Sequence, residues 1–186
     1  MERIMAFLLF CALCFVGLSA VQVASPEADP PSLPDVPYAR NVETGEILYL
    51  GMSKEEADAI TGTPVEENRF RQMVYEGVTL QYRDGLVVYI EIQIHDDAVQ
   101  RWAANGLVTP YMPTKEALEA LGMPFEPGNA PYSILYFEDG TQTMHDRNPP
   151  PEDSRRDYLW CLTFFGDRDT VGVFKMGDKQ YLTMMK

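Results

Sequence analysis

Two histidines, each followed by aspartate, are the residues whose types and spacing come nearest to a reactive site. His95 precedes Asp96 and Asp97, and His145 precedes Asp146. Each group offers an imidazole nitrogen beside carboxylate oxygens, which are donors that divalent metals bind. A metal site needs three or four converging ligands, and neither group supplies them alone. We interpret both as solvated turns and predict no metal or cofactor. The alternative is a small exported hydrolase or metal-dependent protein centred on His145 and Asp146.

Cys161 is the single cysteine beyond the apolar N-terminal run. It alternates with Trp160 and Leu162 in a strand-like stretch, a pattern that favours a packing group over a nucleophile because buried thiols are usually inert. A lone cysteine also leaves no intrachain disulfide in this part of the chain. The sequence has no Gly-rich phosphate loop, no Gly-x-Ser-x-Gly and no His-Glu-x-x-His. Together these observations predict a protein that is not an enzyme.

The elements that would position any site are encoded in a short stretch that occurs twice. Residues 52–64 read MSKEEADAITGTP, and residues 112–124 read MPTKEALEALGMP. Met, Glu, Ala, Gly and Pro recur at the same positions of the two stretches, and Glu66 and Glu126 extend the match. Recurrence at a constant spacing is typical of a repeated structural unit. The sequence therefore predicts an internal duplication.

The first copy carries the start and stop signals of a short helix. Ser53 and Glu56 form a capping-box pattern, and Gly62 can adopt the left-handed conformation that ends a helix. These signals predict a helix over residues 54–61, which is too short to be stable unless it packs on another element. In the second copy Thr114 is the best candidate for the cap, although the glutamate of the box is missing.

Alternating apolar and polar residues after each helix predict two antiparallel meanders. The predicted strands cover residues 69–75, 78–82 and 86–94 in the first unit, and 131–138, 158–165 and 170–176 in the second. Asp84-Gly85 is a strong hairpin signal. Val88, Ile90 and Ile92 are expected on the core face, with Val87 on the other. The predicted fold class is α+β: two tandem repeats, each a short helix packed on an antiparallel three- to four-stranded β-meander, together forming one larger sheet.

The N-terminal residues predict export. Residues 4–21 are almost continuously apolar behind Arg3, and small residues follow them, which indicates a cleaved signal peptide or, alternatively, an uncleaved membrane anchor. We expect an extracytoplasmic protein, secreted or held at the membrane by this segment alone. The formal net charge of −13 argues against nucleic acid as a partner. The predicted organisation is a signal or anchor (1–24), a Pro-rich linker (25–38), a first repeat (39–97) and a second repeat (98–186) with an inserted loop (141–157).

The repeated motif resembles the beta-lactamase inhibitor protein-like superfamily, which includes the SmpA/OmlA outer-membrane small lipoproteins. The resemblance lies in GMSKEE (51–56), GTP (62–64), VTLQYRDG (78–85) and their second-copy counterparts. It implies exported, non-catalytic protein binding, with a concave surface on the sheet face away from the helices. The lipoproteins carry an acylated N-terminal cysteine and the inhibitors carry disulfides. This sequence provides neither, so the resemblance extends to architecture alone.

These observations predict an exported, non-enzymatic module that grips a protein partner through the open sheet face and the 141–157 loop. A Pro-stiffened loop with basic groups on an acidic protein is the best candidate for a recognition element. The alternatives are that Tyr89 and Phe165 fill cross-strand pairs, and that the loop is a tolerated surface insertion. The expected binding residues are Thr79, Gln81, Tyr89, Glu91, Gln93 and Phe165 on the face, and His145, Arg147, Arg155 and Arg156 on the loop.

Overall fold

The computed structural model describes residues 36–92, 101–122, 132–145, 158–166 and 170–180. Along these ranges the chain forms β1 (Tyr38–Asn41), β2 (Ile47–Tyr49), α1 (Lys54–Thr61), β3 (Glu66–Glu67), β4 (Met73–Tyr75), β5 (Val78–Arg83), β6 (Leu86–Ile92), β7 (Trp102–Ala104), α2 (Thr114–Ala120), β8 (Tyr132–Phe137), β9 (Gln142–His145), β10 (Tyr158–Gly166) and β11 (Val171–Asp178). The predicted α+β class is confirmed. The signal or anchor segment lies outside the described residues, and the helices within them are too short to cross a membrane.

Two antiparallel sheets organise the described residues. The larger has eight strands in the order β3-β4-β5-β6-β11-β10-β8-β9, and the smaller has three in the order β2-β1-β7. The centre of the larger sheet is the antiparallel pair β6 and β11, where Phe174 lies opposite Ile92 and Met176 opposite Ile90. The last strands of the two predicted meanders therefore meet in the middle of one continuous sheet.

A single main core joins the helices, the small sheet and one face of the large sheet. Leu48 from β2, Leu118 from α2, and Phe164 and Phe174 from the large sheet are all buried in the same cluster. Burying side chains of this size stabilises the fold by about 1.5–3 kcal/mol each. Both halves of the chain therefore contribute to one shared cluster.

Helix α1 has the predicted bounds and the predicted cap. Ser53 Oγ accepts a hydrogen bond from Glu56 N at 3.3 Å, and Ser53 N donates to Glu56 Oε2 at 3.1 Å. Gly62 follows the helix with a φ of 77°, a value that L side chains rarely adopt. The capping box thus provides hydrogen-bond acceptors for two backbone amides, of Ser53 and Glu56, that would otherwise lack a partner at the start of the helix.

Helix α2 begins differently from its prediction. Pro113 occupies the N-cap position, and Thr114, the predicted cap, is the first residue inside the helix. Proline has no side-chain oxygen, so within the described residues α2 starts without a side-chain cap. The helix is held by burial instead, since Ala117 and Leu118 are both fully buried.

Both helices are joined to the large sheet by similar backbone contacts. Before α1, the chain exchanges hydrogen bonds with the start of β6; before α2, it exchanges them with the start of β11. The bonds are Gly51 N to Val87 O (2.7 Å), Val87 N to Met52 O (2.8 Å), Tyr111 N to Val171 O (2.7 Å) and Val171 N to Met112 O (2.9 Å). Gly51 and Tyr111 both have positive φ, 92° and 66°. The two helix starts therefore share one local geometry.

The first strand predicted after α1 is shorter than expected. It covers Met73–Tyr75 instead of residues 69–75, and an unpredicted strand, β3, precedes it. The Asn68 side chain accepts hydrogen bonds from the amides of Phe70 and Gln72 at 2.9 and 3.1 Å. Arg71 has a φ of 60°, which extended backbone excludes. Residues 68–72 therefore form a turn that connects β3 and β4.

A bulge changes the predicted faces at the start of β6. The register of β5 and β6 shifts between Gln81 and Tyr82, so that Gln81 lies opposite Tyr89 and Tyr82 opposite Val87. Val88 is the extra residue. Val87 consequently enters the core, fully buried, while Val88 is half-buried. The assignment of Val88 to the core and Val87 to the other face was wrong because a bulge inverts alternation on one side of it.

The predicted 141–157 loop begins as a strand. Gln142–His145 forms β9, which pairs with β8 at the edge of the large sheet. The remainder of the insertion, residues 146–157, lies outside the described residues.

Candidate binding surfaces

A row of polar side chains crosses the face of the large sheet that lies away from the main core. Cross-strand pairing places Thr79 opposite Glu91, Glu91 opposite Lys175, Lys175 opposite Thr163, Thr163 opposite Ser133 and Ser133 opposite His145. Three of the predicted binding residues, Thr79, Glu91 and His145, thus belong to one line across six strands. We call this line the polar row.

The centre of the polar row is an ion pair. Lys175 Nζ lies 3.6 Å from Glu91 Oε2 and 5.6 Å from the centre of the Phe165 ring. The Tyr89 hydroxyl donates a hydrogen bond to the same Glu91 oxygen. The structure therefore brings three predicted residues, Tyr89, Glu91 and Phe165, together around a lysine. Buried charges are usually paired and hydrogen-bonded in this way because an unpaired charge is costly to remove from water.

The other half of the polar row consists of neutral groups. Ser133 Oγ and Thr163 Oγ1 are hydrogen-bonded at 3.2 Å, and Cys161 Sγ lies 3.4 Å from the same threonine oxygen. Burial raises the pKa of the Cys161 thiol to about 12. The expectation that Cys161 is a packing group is confirmed, since its side chain is fully buried beside Leu135.

The face that carries the polar row is not the open surface that the sequence predicted. Thr79, Tyr89 and Glu91 are each less than a tenth exposed, and Thr163 is fully buried. Gln81, Phe165 and His145 are half-buried. The expectation that these side chains are accessible is therefore wrong for Thr79, Tyr89 and Glu91, and the role of this face in binding stays a prediction. Gln93, Arg147, Arg155 and Arg156 lie outside the described residues.

Several members of the polar row interact with their cross-strand neighbours. It contains the Glu91–Lys175 ion pair and the hydrogen-bonded Ser133 and Thr163, and in the described ranges no three His, Cys, Asp or Glu residues converge as metal ligands. His145 ends β9, and Asp146 lies outside the described residues. The polar row therefore supplies specific strand pairing, and accessible binding features lie elsewhere.

The first accessible feature is a groove at the β9 edge of the sheet, with a volume of about 750 Å³. Polar and apolar side chains share its walls, and the apolar Leu107 and Leu159 remain 55% and 38% exposed. The carboxylates of Glu138 and Asp139 belong to its lining, whereas none of the described lining residues is basic. The full lining is Val36, Tyr38, Asn105, Leu107, Tyr136, Phe137, Glu138, Asp139, Gly140, Thr141, Gln142, Leu159 and Trp160.

Hydrogen bonds fix two parts of this groove. At its base, Asn105 Nδ2 donates to the Tyr136 hydroxyl at 2.9 Å, and Asn105 Oδ1 accepts from Tyr38 N at 3.2 Å. Burial raises the pKa of Tyr136 to about 12, so this phenol stays protonated at neutral pH. At the rim, Asp139 Oδ1 accepts two hydrogen bonds from Thr141, one from its backbone N at 2.9 Å and one from the threonine hydroxyl at 2.6 Å. These two bonds lower the pKa of Asp139 and keep its negative charge.

The second accessible feature is the turn of residues 68–72, which we call the tip. It projects Phe70, whose side chain is 62% exposed, between the exposed Arg69 and Arg71. The Arg69 guanidinium lies 4.7 Å from the centre of the Phe70 ring, within the range of a cation–π contact. An aromatic ring with arginines beside it is the composition that interface hot spots favour.

The tip is held by its own hydrogen bonds. Asn68 accepts two amide protons through its side chain, and its backbone N donates to Gln72 O at 2.9 Å. Asn68 Nδ2 also donates to Gln72 Oε1 at 2.8 Å, and Arg71 N donates to Asn68 O at 2.9 Å. The exposed Phe70 is therefore presented by an ordered turn and not by a free loop.

Sequence reasoning missed the residues that form these features. Lys175 alternates with the correctly predicted inward residues Phe174 and Met176, so its face could have been inferred. The predicted strand over residues 69–75 includes Phe70, whereas Asn68 is a residue type that favours a turn at this position. Leu107 lines the groove from a turn that becomes its neighbour only through tertiary pairing, a relation that no local pattern encodes.

Comparison with family models, curated proteins and solved structures finds no significant match to this chain. The interpretation of its function therefore depends on its own geometry.

Proposed function

We propose that this chain is an extracytoplasmic, non-enzymatic module that binds a protein partner through the groove at the β9 edge. The observation that carries the proposal is the exposure of Leu107 and Leu159 inside a concavity that also presents carboxylates. Binding sites are typically concave and largely apolar, with a few polar groups that set orientation. Thr141 and Gln142, which belong to the predicted insertion, also line the groove. Their position supports a role for the insertion in recognition.

The chemistry of the groove defines the partner that it would recognise. Leu107, Leu159 and Trp160 can cover an apolar side chain, and Glu138 and Asp139 can pair with a cationic group beside it. The fitting occupant is a segment of protein that carries an aromatic or aliphatic residue next to arginine or lysine. Charge pairing at the rim adds specificity and speeds association, and the apolar contact supplies most of the affinity.

The proposal includes the predicted duplication and its likeness to the beta-lactamase inhibitor protein-like architecture. The matching hydrogen bonds before α1 and α2 support it, as do the paired bridges Ser53 to Leu86 and Pro113 to Thr170. Equivalent strands also meet antiparallel in both sheets, β6 with β11 and β1 with β7. Two copies of one unit related by an approximate twofold axis would produce this arrangement.

The test is photo-crosslinking in cells that produce the full chain. The photo-reactive residue p-benzoylphenylalanine replaces Leu107 in the groove or, as a matched control, Val42; the two side chains are 55% and 53% exposed and both lie in turns. We expect irradiation to form covalent protein adducts at position 107 and not at position 42, and mass spectrometry identifies the adduct.

The same experiment carries its own specificity check. Glu138→Lys with Asp139→Lys reverses the rim charge while leaving the apolar walls in place, and should abolish the adduct at position 107. Equal adduct yields at the two positions, or yields indifferent to the rim charge, would show that the groove binds no protein partner.

A further inference from the structure

We infer that the tip of one copy docks into the groove of a second copy, so that this chain associates with itself head to tail. The inference deepens the proposed function, on which it rests, by naming the occupant of the groove. It is carried by two features of the same molecule, one convex and one concave, whose chemistries match.

The match holds for both apolar and charged groups. Phe70 stands exposed at the tip, and Leu107, Leu159 and Trp160 line the groove. Arg69 and Arg71 flank the ring. The groove presents the opposite charge through Glu138 and Asp139, and no basic residue occurs in its described lining. Arginine pairs with carboxylate through short, charge-assisted hydrogen bonds that also restrict geometry.

The charge of the whole chain makes this match selective. With a formal net charge of −13, two copies repel each other over most of their surfaces. Glu66 and Glu67 are exposed on β3 behind the tip, so the positive charge is confined to Arg69 and Arg71. Where these arginines meet a carboxylate rim, local attraction offsets this repulsion.

The positions of the two features allow many copies to associate in series. The tip belongs to the β3 edge of the sheet and the groove to the β9 edge. All strand pairs in this sheet are antiparallel, so the start of β4 and the end of β8 lie at the same end of the strands. Seven strand spacings of about 4.8 Å separate the edges by roughly 30 Å. Because the tip and the groove belong to opposite edges, one copy can use both at the same time with two different neighbours.

The rigidity of the tip favours this contact. The hydrogen bonds of Asn68 order the turn before any partner arrives, so that docking Phe70 sacrifices little additional backbone entropy. The contact is heterologous, because different surfaces of the two copies meet. Such contacts build rings or open chains instead of closed twofold dimers.

The experiment places p-benzoylphenylalanine at position 70 of the full chain in producing cells that carry two differently tagged copies. Irradiation should give covalent dimers and a ladder of higher species, with peptide adducts at Leu107, Leu159 or Trp160 of the second copy. Reversal of the groove rim by Glu138→Lys with Asp139→Lys should lower the dimer yield at least tenfold. Glu55→Lys with Glu116→Lys makes the same charge change on exposed helix positions and should leave the yield unchanged.

A charge-swap pair tests the contact itself. Copies with Arg69→Glu and Arg71→Glu should fail to cross-link with one another from a probe at position 70, as should copies with the reversed rim. When the two are expressed together and only the copies with the reversed tip carry the probe at position 70, mixed dimers should form again, because this probe reports only the contact between the reversed tip and the reversed rim. A yield unaffected by either reversal, or a mixture that stays monomeric, overturns the inference.

Failure of the inference is distinguishable from failure of the proposed function. Adducts at position 107 with a different protein, together with no dimer from position 70, would leave the groove as a binding site and remove self-association. Adducts of neither kind would remove both. Dimers from position 70 that map to the groove of the second copy support both.

Discussion

Asp58 shows how one carboxylate on α1 attaches the helix to the sheet. Its Oδ1 accepts a hydrogen bond from the Tyr75 hydroxyl at 2.8 Å, and that hydroxyl lies 3.1 Å from the hydroxyl of Tyr82. Lys54, one turn earlier, pairs with the other carboxylate oxygen and lies 5.1 Å from the centre of the Tyr82 ring. Burial opposes ionisation of Asp58, but the hydrogen bonds from Lys54 and Tyr75 outweigh it and lower its pKa.

This lowered pKa predicts a pH-dependent contribution to stability. A carboxylate whose pKa is lower in the folded state stabilises the fold above its unfolded pKa, and the contribution disappears as pH falls through the folded pKa. Asp58→Asn should therefore cost about 1 kcal/mol at pH 7, a modest value because a third of the side chain is exposed. In urea unfolding of both proteins between pH 7 and pH 3, the difference should shrink below about pH 4. A constant difference across this range would contradict the assignment.

The thiol of Cys161 gives a second prediction at the level of one residue. Its pKa of about 12 leaves a thiolate fraction of about 10⁻⁴ at pH 8, and burial blocks access. The folded protein and its Cys161→Ser variant should therefore react equally with a thiol reagent. In denaturing urea they should differ by one thiol. A difference of one thiol in the native protein would show that Cys161 is accessible.

At the scale of elements, the two helices reach similar positions by different means. Helix α1 has a complete capping box from Ser53 and Glu56, whereas Pro113 leaves the start of α2 without a side-chain acceptor among the described residues. Helix α2 compensates by burying Leu118 at the position where α1 carries the partly exposed Asp58. One helix is thus held by polar contacts and the other by apolar burial.

This difference predicts an asymmetric response to substitution. Ser53→Ala removes the cap of α1 and should lower the free energy of unfolding by about 1 kcal/mol. Lys115→Ala on α2 removes only a 3.7 Å ion pair between exposed side chains and should cost less than about 0.5 kcal/mol. Chemical denaturation midpoints of the two variants measure the comparison. Equal effects would argue that the capping box does not stabilise α1.

At the scale of the molecule, the pairing of β6 with β11 and the shared core make the described fold one unit. Trp102 reports on the small sheet and Trp160 on the second half of the large sheet, and both contact the same cluster. The interior of this cluster includes Phe174 opposite Ile92, one from each half of the chain. Loss of packing at this pair should therefore destabilise both halves together.

We predict a single unfolding transition and a large effect of core truncation. Variants that keep only Trp102 or only Trp160 should show coincident fluorescence midpoints, as two-state unfolding requires. Phe174→Ala should lower the free energy of unfolding by about 3–5 kcal/mol, and the milder Ile92→Val by about 0.5–1.5 kcal/mol. The loss should be the same whether Trp102 or Trp160 reports the transition. Separate midpoints for the two tryptophans would show that the halves unfold independently.

Features that depend on neighbouring residues could be predicted from the amino-acid sequence alone. The cap of α1, the Asp84-Gly85 turn with φ values of 52° and 78°, and the inward positions of Leu80, Phe164 and Phe174 all follow from local hydrogen bonding and side-chain alternation. These rules act over a few residues, so a linear reading is sufficient to apply them.

The accessibility of the surfaces, in contrast, could be learned only from the three-dimensional fold. The polar alternation of Thr79, Tyr89 and Glu91 predicted an open face, yet all three are buried, and a bulge reversed Val87 and Val88. The exposure of a side chain depends on what packs above its strand, and the position of a bulge depends on the register with the partner strand. Neither is encoded in the residue spacing of a single strand. The groove combines residues from the β7 turn, β8 and β10 for the same physical reason: long-range packing, and not local pattern, brings them together.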